Sequence, residues 1–403
     1  MTRAYLWGVS ASPYYLKMQA LLARAGVDYR CLPQSASRLE AVRVLRRLRA
    51  ARLARRIGKY PAGPSALDEY PAVPFYSLDG ESLYYDSSAL ALHLDSLPNA
   101  SPVPLVPTDP ALAFLCHFLD EAFDEFGLYM VHHMRWVGAA RSTRMGHRTA
   151  RELRAVVPPG LTGLYARQLY RRQVRRCPYL FSVAPAGFEC GVSAARTPPS
   201  RPGFPSTHAL LEGAWREYLA AMEGLLARQP YLLGEYFTLA DASAYGQLGM
   251  NLVDPEAAAQ LQRHAPETYR WLRTIEAGEG LGGAGRLACS GDLLPLLDIV
   301  QRTFVPLMVR NARAYTESTG QGQALFNEAA FDRGEALYDG EILGQPYRAV
   351  VKSFQVQVWR DLQARWQSLP ADALAAVGER LLPATIQALE SGPDGSDPQV
   401  PVA

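Results

Sequence analysis

The sequence predicts an α+β fold: a βαβ-ββα N-terminal domain, an all-helical C-terminal domain and a further C-terminal extension. Three observations carry this. Ala4-Tyr5-Leu6-Trp7-Gly8-Val9 and Val27-Asp28-Tyr29-Arg30-Cys31-Leu32 are short strand-like runs on either side of a stretch with helical apolar spacing, which makes a βαβ opening. Val73 to Leu78 and Ser82 to Tyr85 are β-rich runs joined by Asp79-Gly80, a strong hairpin signal. From Ala111 onward, apolar residues recur at helical spacing over long segments.

Taken in order, Ala4 to Val9 suits a buried parallel strand. The next segment, Tyr15 to Ala25, puts Met18, Leu21, Leu22 and Ala25 on one helix face, and Gly26 closes it as a C-cap. A helix from Ser87 to Leu97 completes a thioredoxin-like order over residues 1–97. Between the second strand and Val73 lies an insertion. Its part from Arg38 to Lys59 sets Arg43, Arg46, Arg47, Arg49, Arg52, Arg55 and Arg56 around Leu39, Val42, Leu45, Leu48 and Leu53. Such a basic amphipathic helix could touch anionic lipid, RNA or an acidic partner; the plainer reading is a solvated arginine face beside the ligand site.

Residues 98–110 are proline-rich and read as a linker, and 111–280 as the helical domain. Within that domain helices are predicted over Ala111–Val137, Ser142–Arg176, His208–Arg228, Thr238–Asn251 and Glu256–Ala277, with a long exposed loop from Ala184 to Thr207. Thr238 and Asp241 have capping-box spacing. The extension, 281–390, should hold a helix over Leu293–Thr316, a hairpin turning at Asp339-Gly340, and helical register from Pro346 to Trp366. Residues 391–403 are too polar and proline-rich to fold.

At 403 residues the chain exceeds one ordinary core. Its formal net charge of +2 implies no global attraction to nucleic acid or membrane, and 48% hydrophobic against 20% charged residues describes a globular protein. No apolar run reaches the eighteen or so residues of a spanning helix, and the first residues read as strand, so a cytosolic protein is expected. Cys31, Cys116, Cys177, Cys190 and Cys289 are odd in number and lack CxxC spacing. That argues against a disulfide framework and a zinc site, and for buried reduced thiols.

The chemistry concentrates in three short pieces: Ser12-Pro13-Tyr14-Tyr15, Tyr70-Pro71-Ala72-Val73-Pro74 and Asp86-Ser87. A cis bond at Val73-Pro74 would turn the backbone of Val73 outward to pair with an extended peptide. Asp86-Ser87 opens a helix whose free N–H groups suit a carboxylate. Together these pieces resemble the amino-terminal domain of the glutathione transferases. Tyr231-Leu232-Leu233-Gly234-Glu235-Tyr236-Phe237-Thr238-Leu239-Ala240-Asp241-Ala242 resembles the folding motif of that family's helical domain. The likeness covers roughly the first 275 residues. The tail, with Ala111 to Leu115 and His133-Met134-Arg135-Trp136, is similar to that of larger bacterial transferase-like proteins.

The resemblance implies glutathione as substrate or cofactor, with a hydroxyl after the first strand stabilising its thiolate. Ser12 stands at that position, with Ser10 and Tyr14 as competing donors. Val73 and Pro74 become the backbone clamp, and Asp86 and Ser87 the γ-glutamyl site. Serine in place of cysteine disfavours disulfide exchange, because no mixed disulfide can form there. His132 and His133, with His117, Asp120, Glu121 and Asp124, hint at a metal, but no second cluster accompanies them; no metal is expected, and an acid here could instead hold the γ-glutamyl amino group. Tyr14, the helix through Phe123 to Trp136, and Tyr165, Leu169 or Tyr170 would line an electrophile pocket. The expected function is a glutathione-dependent transferase, with a role in detoxification, adding or substituting the thiolate on an apolar or aromatic electrophile. A non-catalytic binding or scaffold protein, or a glutathione-dependent isomerase or ether- or halide-cleaving enzyme, are the alternatives. The family resemblance also implies a homodimer, whose interface the extra third stands to block or replace. No nucleic-acid partner or membrane span is expected.

Overall fold

The computed structural model describes the whole chain except residues 1–3, 69–73, 99–100, 102, 139–143, 188–199, 283–284 and 393–403. Strand β1 (Ala4–Trp7) leads into α1 (Pro13–Arg24), β2 (Tyr29–Leu32), α2 (Arg38–Leu53), β3 (Phe75–Ser77) and α3 (Ser87–Asp95). β1 is central in the order β2-β1-β3, parallel to β2 from Ala4↔Tyr29 to Trp7↔Leu32 and antiparallel to β3 from Tyr5↔Ser77 to Trp7↔Phe75. This is the thioredoxin-like motif. Pro13 starts α1, where a missing N–H costs nothing, and Gly26 ends the turn after it at φ +67°. The second run of the expected hairpin shrinks to one residue: Tyr84 exchanges both backbone bonds with Tyr76 at 2.9 Å, while the Asp79 carboxylate binds the N–H groups of Glu81 and Ser82.

α2 covers the outer face of the sheet, where Ala41 and Leu48 join Trp7, Leu32 and Phe75 in a separate small core. Its Leu39 and Leu53 stay 74% and 87% exposed, and Arg47 donates to the carbonyls of Gly80 and Glu81 across the turn.

The helical region runs through α4 (Pro110–Ala122), a π-helical turn (Phe123–Gly127), α5 (Leu128–His133) and a second π turn (Met134–Gly138). Then come α6 (Arg144–Glu152), α7 (Thr162–Arg175), α8 (His208–Leu226), α9 (Leu239–Leu248), α10 (Pro255–His264) and α11 (Pro266–Glu276). Two segments expected as single helices are broken. Pro158-Pro159-Gly160, with Gly160 at φ +80°, separates α6 from α7, and Pro266 restarts the chain after α10. The loop expected from Ala184 to Thr207 lies partly outside the described residues.

The extension holds α12 (Leu294–Gly320), α13 (Glu328–Arg333), β4 (Leu337–Ile342), β5 (Gln345–Val350), α14 (Ser353–Gln367), α15 (Ala371–Gly378) and α16 (Pro383–Glu390). Its hairpin turns at Leu343-Gly344, both at positive φ, and not at Asp339-Gly340. Gly340 instead faces Tyr347, whose ring stands 2.5 Å from where a Cβ would lie, so this glycine answers to packing. Pro346 to Val350 are strand, and the helix starts only at Ser353. One apolar core runs from Leu6 and Leu21 through Phe118, Tyr218 and Phe304 to Trp359 and Leu389, so the extension packs into the same interior as the rest. Among the described residues no helix is long and apolar enough to cross a membrane. Cys31, Cys116, Cys177 and Cys289 form no disulfide among the described residues; Cys190 lies outside them.

At the start of α9 the Asp241 carboxylate accepts from the N–H groups of Leu232 (2.8 Å) and Thr238 (2.9 Å) and from the Thr238 hydroxyl (2.8 Å), all fully buried. Thr238→Ala is expected to lower unfolding free energy by about 1–2 kcal/mol in urea titrations with unchanged ligand affinity; an affinity loss alongside an unchanged midpoint would show that the motif serves the ligand and not the fold.

Candidate functional site

A cleft opens where the first turns of α1 and α3 face the α4–π segment, with α14 of the extension as its outer wall. A cavity of about 250 Å³ is lined by Tyr14, Met18, Lys59, Pro74, Asp86, Ser87, Glu121, Asp124, Phe354 and Val358, among others. It adjoins a second space of about 530 Å³ bordered by Tyr60 to Ser65, Glu121, Asp361 and Arg365. α14 is pinned there: Gln357 accepts from Ser65 at 2.9 Å, Gln355 donates to Glu125 (2.9 Å) and to the Tyr129 hydroxyl (3.0 Å), and Lys352 bonds the same hydroxyl.

The residues chosen from sequence fall into two groups. Tyr14, Pro74, Asp86 and Ser87 all line the cleft. Ser12 caps α1 with extended backbone, its side chain making no capping bond, and does not line the cavity. Ser10 is buried and committed elsewhere, with its N–H at 2.9 Å and its hydroxyl at 2.5 Å from the Glu152 carboxylate on α6. Val73 lies outside the described residues, and with it the peptide bond to Pro74. The helix opening also differs from expectation. Asp86 turns its own carboxylate back onto the N–H groups of Ser88 (3.0 Å) and Ala89 (2.9 Å), so donors expected to meet a ligand are filled by the protein. Asp86 holds φ +76°, a conformation a non-glycine residue keeps only where its surroundings enforce it.

Charge in the cleft is arranged around two lysines. Lys17, fully buried, donates to Asp120 (2.5 Å), Asp124 (2.6 Å) and Ser88 (2.8 Å). Burial alone would push its pKa down, but Asp120 and Asp124 carry it above the ordinary value. Lys59 reaches Asp86 (2.8 Å) and Asp68 (3.2 Å). Burial opposes ionisation of Asp86, but Lys59 and the helix N–H groups hold its carboxyl below the usual range. Glu121 has no such help: it makes no hydrogen bond or ion pair among the described residues, and burial, then Asp120 and Asp124, push its pKa well above the usual carboxylate value. The Tyr14 hydroxyl donates to the Asp124 carbonyl (3.1 Å); burial and the charges of Glu125 and Asp124 keep this phenol protonated.

Sequence reasoning had no handle on Lys17, Lys59 or the α14 wall. A signal was present, however. Lysine occurs only at 17, 59 and 352 in a chain otherwise rich in arginine, and all three stand at or beside this cleft. The residues considered for a metal separate: His117 borders the outer space, while His132 pairs with Gln173 at 3.3 Å.

A thioredoxin-like domain followed by helices that close a cleft against it is the architecture of the glutathione transferases. Residues 206–279 match the family described as the glutathione S-transferase C-terminal domain. Among solved structures it is similar to a glutathione S-transferase from Pseudomonas fluorescens Pf-5 (16% identity, 68% of this chain, 94% of that chain, TM-score 0.31). It is also similar to one from Ceriporiopsis subvermispora, in complex with glutathione (16%, 69% and 98%, TM-score 0.39), and to one from Xanthobacter autotrophicus Py2 (19%, 70% and 96%, TM-score 0.33). No curated protein matches the chain.

Because the native pKa of Glu121 is raised, its proton favours the folded state. That stability is complete below its ordinary value of 4.5 and is lost as pH rises above it toward the raised native value. Glu121→Gln should therefore raise the melting temperature at pH 8 and leave it unchanged near pH 4; a lower melting temperature at pH 8 would contradict a neutral Glu121.

Proposed function

We propose that this protein is a cytosolic glutathione-dependent transferase in which Tyr14 stabilises the glutathione thiolate. The observation that supports it is the convergence of Tyr14, Pro74, Asp86 and Ser87, drawn from three separate stretches of sequence, on one cavity. A free thiol of this kind has a pKa of about 8.5, and each unit of depression gives roughly tenfold more nucleophile at neutral pH. A phenol that keeps its proton can donate to the sulfur anion, as Tyr14 already does to a carbonyl. Glu121, the acid without a partner among the described residues, is suited to the γ-glutamyl ammonium beside Asp86 and Ser87, and Lys59 to a carboxylate. The thiolate forms a C–S bond with the electrophile; in addition the new carbanion takes a proton from water, and in displacement a leaving group departs with the bonding pair. Met18, Phe354 and Val358 supply apolar contact for that second substrate.

The clamp at Val73 and Pro74 is part of this reading, and so is a homodimer. A non-catalytic binding role has one observation in its favour: Asp86 is already satisfied by its own helix and by Lys59. Retention on immobilised glutathione followed by initial rates with aromatic electrophiles separates the readings. Tyr14→Phe is expected to lower turnover by about 10²-fold with a small effect on glutathione affinity, and Ser12→Ala to change it little. Equal activity in Tyr14→Phe, or a loss confined to Ser12→Ala, returns the donor to the α1 cap. Retention without thiol consumption supports binding alone or an isomerase that returns its glutathione. Asp86→Ala should weaken glutathione binding measured by calorimetry; unchanged affinity removes Asp86 from the site.

A further inference from the structure

Away from the cleft, His133, His208 and Glu212 each present a donor atom within 4.8 Å of the other two. We infer that they form a site for one divalent transition-metal ion of the zinc class, with three protein ligands and water in the remaining position.

Geometry and burial together build the site. His133, the last residue of α5, is fully buried, and its Nε2 has no hydrogen-bond partner among the described residues, while its Nδ1 stands 2.6 Å from the Ser182 hydroxyl. With Nδ1–H donating to Ser182, the Nε2 lone pair faces the other two residues, the way a ligating imidazole is oriented by a bond on its far nitrogen. His208 and Glu212 are one turn apart on α8, so both project from one face, and His208 Nε2 is 3.4 Å from Glu212 Oε1. Two ligands about 2.0–2.1 Å from a tetrahedral zinc lie roughly 3.3–3.4 Å apart, so this edge fits as it stands. The third donor, His133 Nε2, is 4.0 Å from the same carboxylate oxygen, within reach of a small side-chain rotation. The backbone holding Ser182 is itself stitched to the start of α8, where Thr207 accepts from the Val183 N–H at 2.9 Å and donates to the Phe181 carbonyl. The Glu212 side chain is 37% exposed, which leaves a solvent side for the water. Two nitrogens and one carboxylate with an open position suit zinc or a similar ion better than calcium or magnesium, which favour all-oxygen shells.

The test uses the full-length protein without a histidine tag, stripped by chelator and titrated with cobalt(II), whose ligand-field spectrum reports coordination. One equivalent with the intense visible bands of four- or five-coordination, displaced by one equivalent of zinc, is expected. Glu212→Gln and His208→Gln should abolish the bands, and Ser182→Ala should weaken binding by about 10–100-fold. The exposed His147, changed to Gln as a control, should leave the titration unchanged. Absence of saturable cobalt binding in the parent protein overturns the proposal without recourse to any variant. So does a spectrum that survives both ligand substitutions in folded protein, as judged by circular dichroism. Binding at this site is read independently of glutathione, so it stands or falls apart from the transferase reading.

Discussion

The ammonium of Lys17 holds the two halves of the molecule in register. It leaves α1 of the thioredoxin-like domain and ends between Asp120 and Asp124 of the helical domain, with no solvent contact. Asp120 also takes the Ser243 hydroxyl and Asp124 the Gln247 amide, both from α9, and Lys17 reaches Ser88 of α3, so four helices meet at one charge. Such a pair adds little net stability against an apolar replacement, but loss of one partner strands an uncompensated charge at roughly 3–5 kcal/mol. Gly246 makes the approach possible, because a Cβ there would sit 2.7 Å from the Pro13 carbonyl and 2.8 Å from the Lys17 Cβ. The geometry of the cleft follows from this lock: Tyr14 lies one turn before Lys17, and Asp124, which holds the ammonium by its carboxylate, takes the Tyr14 hydroxyl on its carbonyl.

The π-helical turns on either side of α5 contribute to the same end. The first, Phe123–Gly127, carries Asp124 and Glu125 at the cleft, and its wider register leaves a carbonyl able to accept from a neighbouring side chain. The acids there divide by partner: Asp120 and Asp124 answer Lys17, Glu125 answers Gln355 of the extension, and Glu121 is left facing the space.

Local signals in the sequence were enough to read the element order and to pick out four residues, Tyr14, Pro74, Asp86 and Ser87, that line one cavity. Apolar period, Gly26 as a stop and the Thr238-Asp241 pair each act over a few residues, and each predicts what is observed. Failures occurred where a local signal had a non-local purpose. Asp339-Gly340 has turn composition, yet Gly340 is small to admit Tyr347 and the chain reverses four residues later. Ser12 caps α1 outside the cavity lining, while Tyr14, the second residue of that helix, lines it. The α14 wall and the grouping of His133 with His208 and Glu212 join residues far apart in sequence, and no periodicity carries that information.

The pinning of α14 also sets the shape of the cleft. Gln355 donates to Glu125 and Tyr129 and Gln357 accepts from Ser65, so the start of the outer wall is tied to both the helical domain and the loop before β3, and moving it outward breaks these bonds. The cavity beside Tyr14 and the larger space share Lys59, Asp86, Glu121 and Asp361 as walls, so a shift of α14 would reshape both at once.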